Sequence, residues 1–292
     1  MGQSQLIDYN IEDIKGYIPR EIIISDSNSK FLAGKNKNFS YRIKLYSIIK
    51  NDKDIFQLND YSFIESQKVV INNFRFHPKY TKLMLSSLSN GKIKLYEIKD
   101  NKKNITLSTI NAYDYSCYSS IFHPSIDELI LSNSDDEIKV FDLTKFTYVQ
   151  SISYELINKS IINWKNKNQY GYYDSKGIII RDLNDIKDKL IIPLNKEIYN
   201  FYFMNDNIIT LSESSIEKWD IRKTGSPINI INKQNLKNSL FDNNMNYLYL
   251  LNEGFKILDL TNFQFLDTKK CNEFFEENAI ILKNNLLRDK TH

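Results

Sequence analysis

His77, His123 and His292 are the only imidazoles in the chain, and Cys117 and Cys271 the only thiols. His77 and His123 each precede a proline, Pro78 and Pro124, which fixes φ and withdraws a backbone donor. Such pairs read as turns rather than as acid–base groups. Neither cysteine belongs to a CxxC pair or has a histidine at metal-ligand spacing, and two cysteines build no disulfide framework. There is no GxSxG, no P-loop and no HExxH. These absences predict a protein that is not an enzyme, with no catalytic residues, no metal, no cofactor and no small-molecule substrate. Trp164 and Trp219 fall in predicted strands, where packing in the core is the ordinary role of an indole.

The remaining chemistry is that of a binding surface. Lys35, Asp135, Asp136, Asp174, Glu213 and Glu253 occupy turns between predicted strands, and Tyr113, Asp114 and Tyr115 form a polar connection. Acids flanked by tyrosines suit a basic peptide segment or an arginine-bearing partner, since tyrosine is favoured at the energetic centre of interfaces. The competing reading is that the acids only solvate their turns, as aspartate routinely does. Which reading holds depends on the elements that carry them.

Those elements repeat. Six copies of a short run recur: Ile43 to Ile48, Ile93 to Ile98, Ile138 to Leu143, Ile178 to Leu183, Ile216 to Ile221 and Phe255 to Leu260. Most read apolar, charged, apolar, aromatic or apolar, then an acid or small polar residue, then Ile or Leu. Their fifth residues fall at 47, 97, 142, 182, 220 and 259, so the steps are 50, 45, 40, 38 and 39. A period near 40 to 45 with strands in each unit is that of a bladed propeller. Unit two is the clearest. Its strands are Val69 to Phe76, Lys82 to Ser87, Lys92 to Ile98 and Asn104 to Ile110, with the turns His77 to Tyr80 and Ser89 to Gly91 between them. Unit three repeats it with Tyr118 to Phe122, Glu128 to Ser132, Glu137 to Leu143 and Tyr148 to Tyr154. The fold expected is all-β: one β-propeller domain over residues 1–292, with seven four-stranded blades; six blades plus loose ends is the alternative. Three strands of the seventh are assigned to Glu273 to Phe275, Ala279 to Leu282 and Leu286-Leu287. Ser4 to Ile11 supplies the fourth and closes the ring. Such closure removes open sheet edges. In that architecture the turns between second and third strands share one face with the connections between blades. This gathers the nine candidate residues.

Composition agrees. Nineteen Tyr and seventeen Phe favour pleated, half-buried strands. Net charge is +3 from 39 basic and 36 acidic residues, with the signs interleaved, so there is no basic arm or acidic tail. The N-terminus lacks the apolar segment of a secretory signal, and Leu6 stands where a myristoylation motif needs Ser or Thr. No apolar run has the length of a membrane span. An intracellular location, cytoplasmic or nuclear, is expected.

At Trp219-Asp220-Ile221-Arg222-Lys223 the chain resembles WD40 repeat proteins, whose WD dipeptide closes the third strand of a blade. Phe76-His77-Pro78 and Phe122-His123-Pro124 resemble that family's Phe-x-Pro. Leu95-Tyr96-Glu97, Val140-Phe141-Asp142 and Ile257-Leu258-Asp259 look like diverged copies of the dipeptide. The resemblance covers about residues 20–265. It lacks the family's Gly-His ahead of the first strand, which implies blades held mainly by apolar packing. The resemblance, with the missing catalytic groups, implies a scaffold for protein–protein interaction in a multiprotein complex. Two alternatives remain. One is a nucleic-acid-associated propeller of RNA processing, using Lys165, Lys167, Lys187 and Lys189. The other is a coronin-like actin binder, suggested by Trp219 to Pro227 followed by Tyr247-Leu248-Tyr249.

Overall fold

A computed structural model describes residues 19–24, 31–36, 42–50, 56–65, 68–80, 82–99, 104–153, 161–194, 196–232, 239–241, 247–250 and 256–266. Within them lie six four-stranded antiparallel sheets, each built from four consecutive strands in chain order. The first holds β1 (Pro19–Ile24), β2 (Phe31–Asn36), β3 (Arg42–Lys50) and β4 (Phe56–Glu65). The second holds β5 (Ile71–Phe76), β6 (Leu83–Leu88), β7 (Lys92–Glu97) and β8 (Ile105–Asn111). The third holds β9 (Ser119–Phe122), β10 (Leu129–Asn133), β11 (Glu137–Asp142) and β12 (Thr147–Ser153). The fourth holds β13 (Ile162–Trp164), β14 (Gln169–Asp174), β15 (Gly177–Asp182) and β16 (Asp185–Ile192). The fifth holds β17 (Ile198–Met204), β18 (Asn207–Ser212), β19 (Ser215–Asp220) and β20 (Asn229–Asn232). The sixth holds β21 (Ser239–Phe241), β22 (Tyr247–Leu250), β23 (Lys256–Asp259) and β24 (Gln264–Phe265). The segments expected to form a seventh blade lie outside the described residues.

The repeated run is the third strand of each sheet, and its spacing follows from packing on both faces. Successive side chains point to opposite faces. The first and third residues of the run meet the following sheet, and the fourth and sixth meet the preceding one. Ile138 and Val140 pack with Trp164, Tyr170 and Tyr172 of the fourth sheet. Phe141 packs with Leu85 and Ile93 of the second. Ile178 and Ile180 pack with Phe201 and Phe203 of the fifth sheet, and Trp219 reaches back into the same cluster. Both faces are therefore apolar, and a strict alternation of apolar and polar residues is absent. Truncating a buried ring such as Trp219 removes contacts worth about 3–5 kcal/mol. Its indole N–H is served by Thr210 Oγ1 at 3.2 Å.

In four copies the fifth residue of the run caps the turn that follows. Asp142 accepts from the backbone N–H of Thr144 at 2.8 Å and from its hydroxyl at 2.5 Å. Asp182, Asp220 and Asp259 accept in the same way from the N–H two residues on, at 3.0, 2.9 and 2.8 Å. These are Asx turns, which make an acid useful there whatever its neighbours.

The histidine turns work at the end of the first strand. His77 Nδ1 accepts from the N–H of Lys79 and Tyr80, at 3.1 and 3.2 Å. His123 Nδ1 accepts from Ser125 and Ile126, at 3.1 and 2.8 Å. Each ring also reaches the next sheet. His123 Nε2 donates to the carbonyl of Lys167 at 2.9 Å, and its ring lies 4.4 Å from that of Trp164. His77 lies 4.6 Å from Phe122, with Nε2 3.9 Å from the Asp127 carboxylate. Adjacent sheets are thus linked by imidazole as well as by apolar packing.

One strand outruns its counterparts: β4 runs ten residues, from Phe56 to Glu65. A register shift between Leu45 and Tyr46 absorbs an extra residue, and pairing continues to Arg42–Glu65. Ile64 thereby packs beside Ile43 in the seam with the second sheet. This long hairpin accounts for the 50-residue first step.

Candidate partner-binding face

In an antiparallel meander the turn between second and third strands shares an end with the connection leaving the fourth. Between the second and third sheets that end is tightly tied. The N–H groups of Ala112 and Tyr113 both donate to the Gly91 carbonyl at 3.1 Å, and Cys117 donates to Leu88 at 3.0 Å. Asn72 Nδ2 donates to Ser116 Oγ at 2.7 Å and to the Cys117 carbonyl at 2.8 Å. Gly91 has φ +77°, and a Cβ there would lie 2.0 Å from the Tyr113 carbonyl oxygen. Only glycine fits both the conformation and the approach. The connection 112–118 is therefore held in one shape by its own backbone and side-chain hydrogen bonds.

On that connection Asp114 and Tyr115 are exposed, Tyr115 by 65%. Tyr113 is buried. It is 8% exposed, its hydroxyl lies 2.7 Å from Ser132 Oγ, and its ring meets Phe141 edge-on. The Lys139 ammonium stands 4.7 Å above its centroid, 2.7 Å from Glu137, and donates to the Ala112 carbonyl at 3.1 Å. Tyr113 thus supports the rim from beneath.

Asp135 and Asp136 occupy the turn between β10 and β11. Ser134 caps it, accepting from the N–H of Glu137 at 3.1 Å and donating to Asp136 Oδ1 at 3.1 Å. Asp136 is exposed, and Asp135 is half-buried where Tyr118 Oη donates to it at 2.5 Å. That hydrogen bond to a carboxylate, helped by burial, pushes the Tyr118 phenol up to about 12. Tyr118 went unnoticed in the sequence because nothing ties it to an acid 17 residues on until β9 and β10 are in register. Asp114, Tyr115, Asp135 and Asp136 share this corner.

The other candidates stand apart. Glu213 is exposed in the turn between β18 and β19, where Ser212 accepts from Ser215 N–H at 3.1 Å just as Ser134 does. Asp174 ends β14 in the position of those capping serines, accepting from Lys176 N–H at 2.7 Å, and is buried. It belongs to its turn rather than to the rim. Lys35 lies within β2, paired with Ile43, rather than in the turn. Glu253 lies outside the described residues. Cys117 is fully buried, and burial pushes its thiol up to about 11.

Of the lysines considered for nucleic acid, Lys165 and Lys167 sit in the turn between β13 and β14, at the opposite end of the sheets. Lys165 Nζ donates to Gln169 at 3.0 Å. Lys187 and Lys189 are carried by the outer strand β16. Among the described residues no group of three or more His, Cys, Asp or Glu is placed to hold a metal ion. No helix among them is long and apolar enough to cross a membrane.

Six sheets of four antiparallel strands, each made in chain order and packed face to face, define a β-propeller of the WD40 type. Among solved structures the chain is similar to the crystal structure of the C-terminal WD40 domain of Sif2. The TM-score is 0.59 at 13% identity, over 86% of this chain and 74% of that one. No family profile and no curated protein matches the sequence.

Proposed function

We propose that this chain is a non-catalytic scaffold within a larger intracellular protein assembly, cytoplasmic or nuclear. On this reading residues 1–292 form one propeller domain. It receives a basic segment of a partner at Asp114, Tyr115, Asp135 and Asp136. WD40 propellers generally serve as protein-interaction scaffolds, which supports the class. The observation that carries the site is Tyr115, an aromatic left 65% exposed on a connection fixed by backbone hydrogen bonds. Exposed acids flank it. Rigid scaffolds commonly present their binding residues on such loops.

The test is a titration of the whole chain with a lysine- and arginine-rich decapeptide, beside a scrambled acidic control, and with the Asp114→Asn/Tyr115→Ala/Asp136→Asn variant. Saturable binding to the native chain, lost at least about tenfold in the variant, is the expected result, since an interface tyrosine alone accounts for more than about 1–2 kcal/mol. Equal binding by both proteins contradicts the site. Binding of RNA with a steep dependence on salt, unaffected by the variant, favours the nucleic-acid reading instead.

A further inference from the structure

The second residue of the repeated run is lysine in four of its six copies (Lys44, Lys94, Lys139 and Lys256), isoleucine at Ile179, and an acid only at Glu217. Lys139 shows what the position does. From β11 it reaches the carbonyl of Ala112, in the connection arriving from the preceding sheet. Glu217 holds the same place between the fourth and fifth sheets with the charge reversed. Its counterion comes from the connection itself. Lys196 Nζ pairs with Glu217 Oε1 and donates to Ser215 Oγ at 2.6 Å. Ser215 Oγ lies 3.3 Å from the same carboxylate oxygen and 2.9 Å from Ser212 Oγ. The other oxygen, Oε2, has no hydrogen-bond partner among the described residues, although Glu217 is only 6% exposed. The Lys196 side chain is 34% exposed. Glu197 and Glu213 stand exposed at the same mouth.

A buried acceptor left unserved is costly. A lysine ammonium is a point charge and here engages one carboxylate oxygen. A guanidinium is a planar fork that engages both in parallel. We propose that the Glu217 pocket, at the mouth of the seam between the fourth and fifth sheets, accepts an arginine side chain of the partner. Lys196 is the internal occupant that the arginine displaces. Ser212 and Ser215 supply oxygens for the remaining guanidinium donors. This rests on the reading that the loop face docks a basic segment, and it assigns that segment a residue type and a place.

The probe is N-acetyl-Gly-Arg-Gly-amide added to the whole chain, with the citrulline analogue as an isosteric neutral control, read by backbone amide NMR shifts. The arginine peptide shifts Lys196, Ser212 and Ser215 saturably and binds about tenfold more tightly than the citrulline peptide, the difference between charged and neutral hydrogen bonding. Lys196→Ala removes the occupant and tightens binding, and Glu217→Gln abolishes it. Equal response to the two peptides, shifts confined to other residues, or unchanged binding in Lys196→Ala overturns the pocket. The peptide comparison on the native chain decides the matter if Glu217→Gln fails to fold. The two readings fail separately. If the Asp114/Tyr115/Asp136 variant loses the decapeptide while Glu217→Gln and Lys196→Ala keep native affinity for it, the docking face stands without the pocket. If arginine shifts persist at Lys196 while the triple variant binds as before, the pocket stands without the corner.

Discussion

Replacing His123 by alanine removes three hydrogen bonds at one turn. The N–H groups of Ser125 and Ile126 lose their acceptor, the Lys167 carbonyl loses its donor, and the face of Trp164 loses a ring. Each hydrogen bond contributes about 0.5–1.5 kcal/mol net, so the variant should be less stable by about 3 kcal/mol, before any collapse around the missing ring. His123→Asn is the informative companion. Its Oδ1 can stand where Nδ1 stood and keep both turn N–H groups, so it should recover about half of the loss. The same geometry dictates the response to pH. Nδ1 accepts and Nε2 donates, which only the neutral Nε2–H tautomer can do. Burial holds His123 below its ordinary value, and burial does the same to His77 against the partial opposition of Asp127. The unfolded chain therefore binds protons that the folded chain refuses. Stability is fully present above about pH 6.5, the unfolded value, and falls as the pH drops below it. Each histidine contributes at most about 1.4 kcal/mol per pH unit. Urea unfolding at pH 7.5, 6.5 and 5.5 for the native chain, His123→Ala and His123→Asn measures both effects. If the Asn and Ala variants are equally unstable, the turn acceptor is not what His123 supplies. If stability is flat from pH 7.5 to 5.5, the neutral tautomer is not required.

Gly91→Ala should cost at least about 2 kcal/mol, because it combines a left-handed backbone penalty of about 1–2 kcal/mol with a Cβ 2.0 Å from the Tyr113 carbonyl. Urea unfolding reads the loss, and amide shifts in 112–118 should change with it. Phe146 and Phe263 occupy equivalent turns with φ of 55° and 59°, yet Phe146 is 54% exposed and Phe263 7%. Phe146→Gly should therefore stabilise by up to about 1 kcal/mol, whereas Phe263→Gly should destabilise through the lost ring. Parallel changes in thermal midpoint for the two would contradict that contrast.

The fold was legible because packing on both faces of every sheet writes a short signature into each third strand. Ile138, Val140 and Phe141 could be placed on a strand from spacing alone, and the Asx caps at Asp142, Asp182 and Asp220 repeat where the chain must turn. The site was legible only in part. An acid in a turn can cap it or project from it, and composition does not separate the two. Asp174 caps and is buried, whereas Asp135 and Asp136 follow a capping serine, Asp135 half-buried against Tyr118 and Asp136 exposed. Tyr113 reads as a rim aromatic until the ammonium of Lys139 and the hydroxyl of Ser132 are seen around it. Lys196 and Glu217 lie 21 residues apart and meet only once β17, β18 and β19 are in register. The oddity of Glu217 was present in the repeat, as the one acid among its second residues.

Because the first and third residues of the repeated run address the junction ahead and the fourth and sixth the junction behind, each unit carries half of two locks. A substitution at Val140 loosens only the contact with the fourth sheet, and one at Phe141 only the contact with the second. Damage then stays between nearest neighbours, as in other quasi-linear arrays.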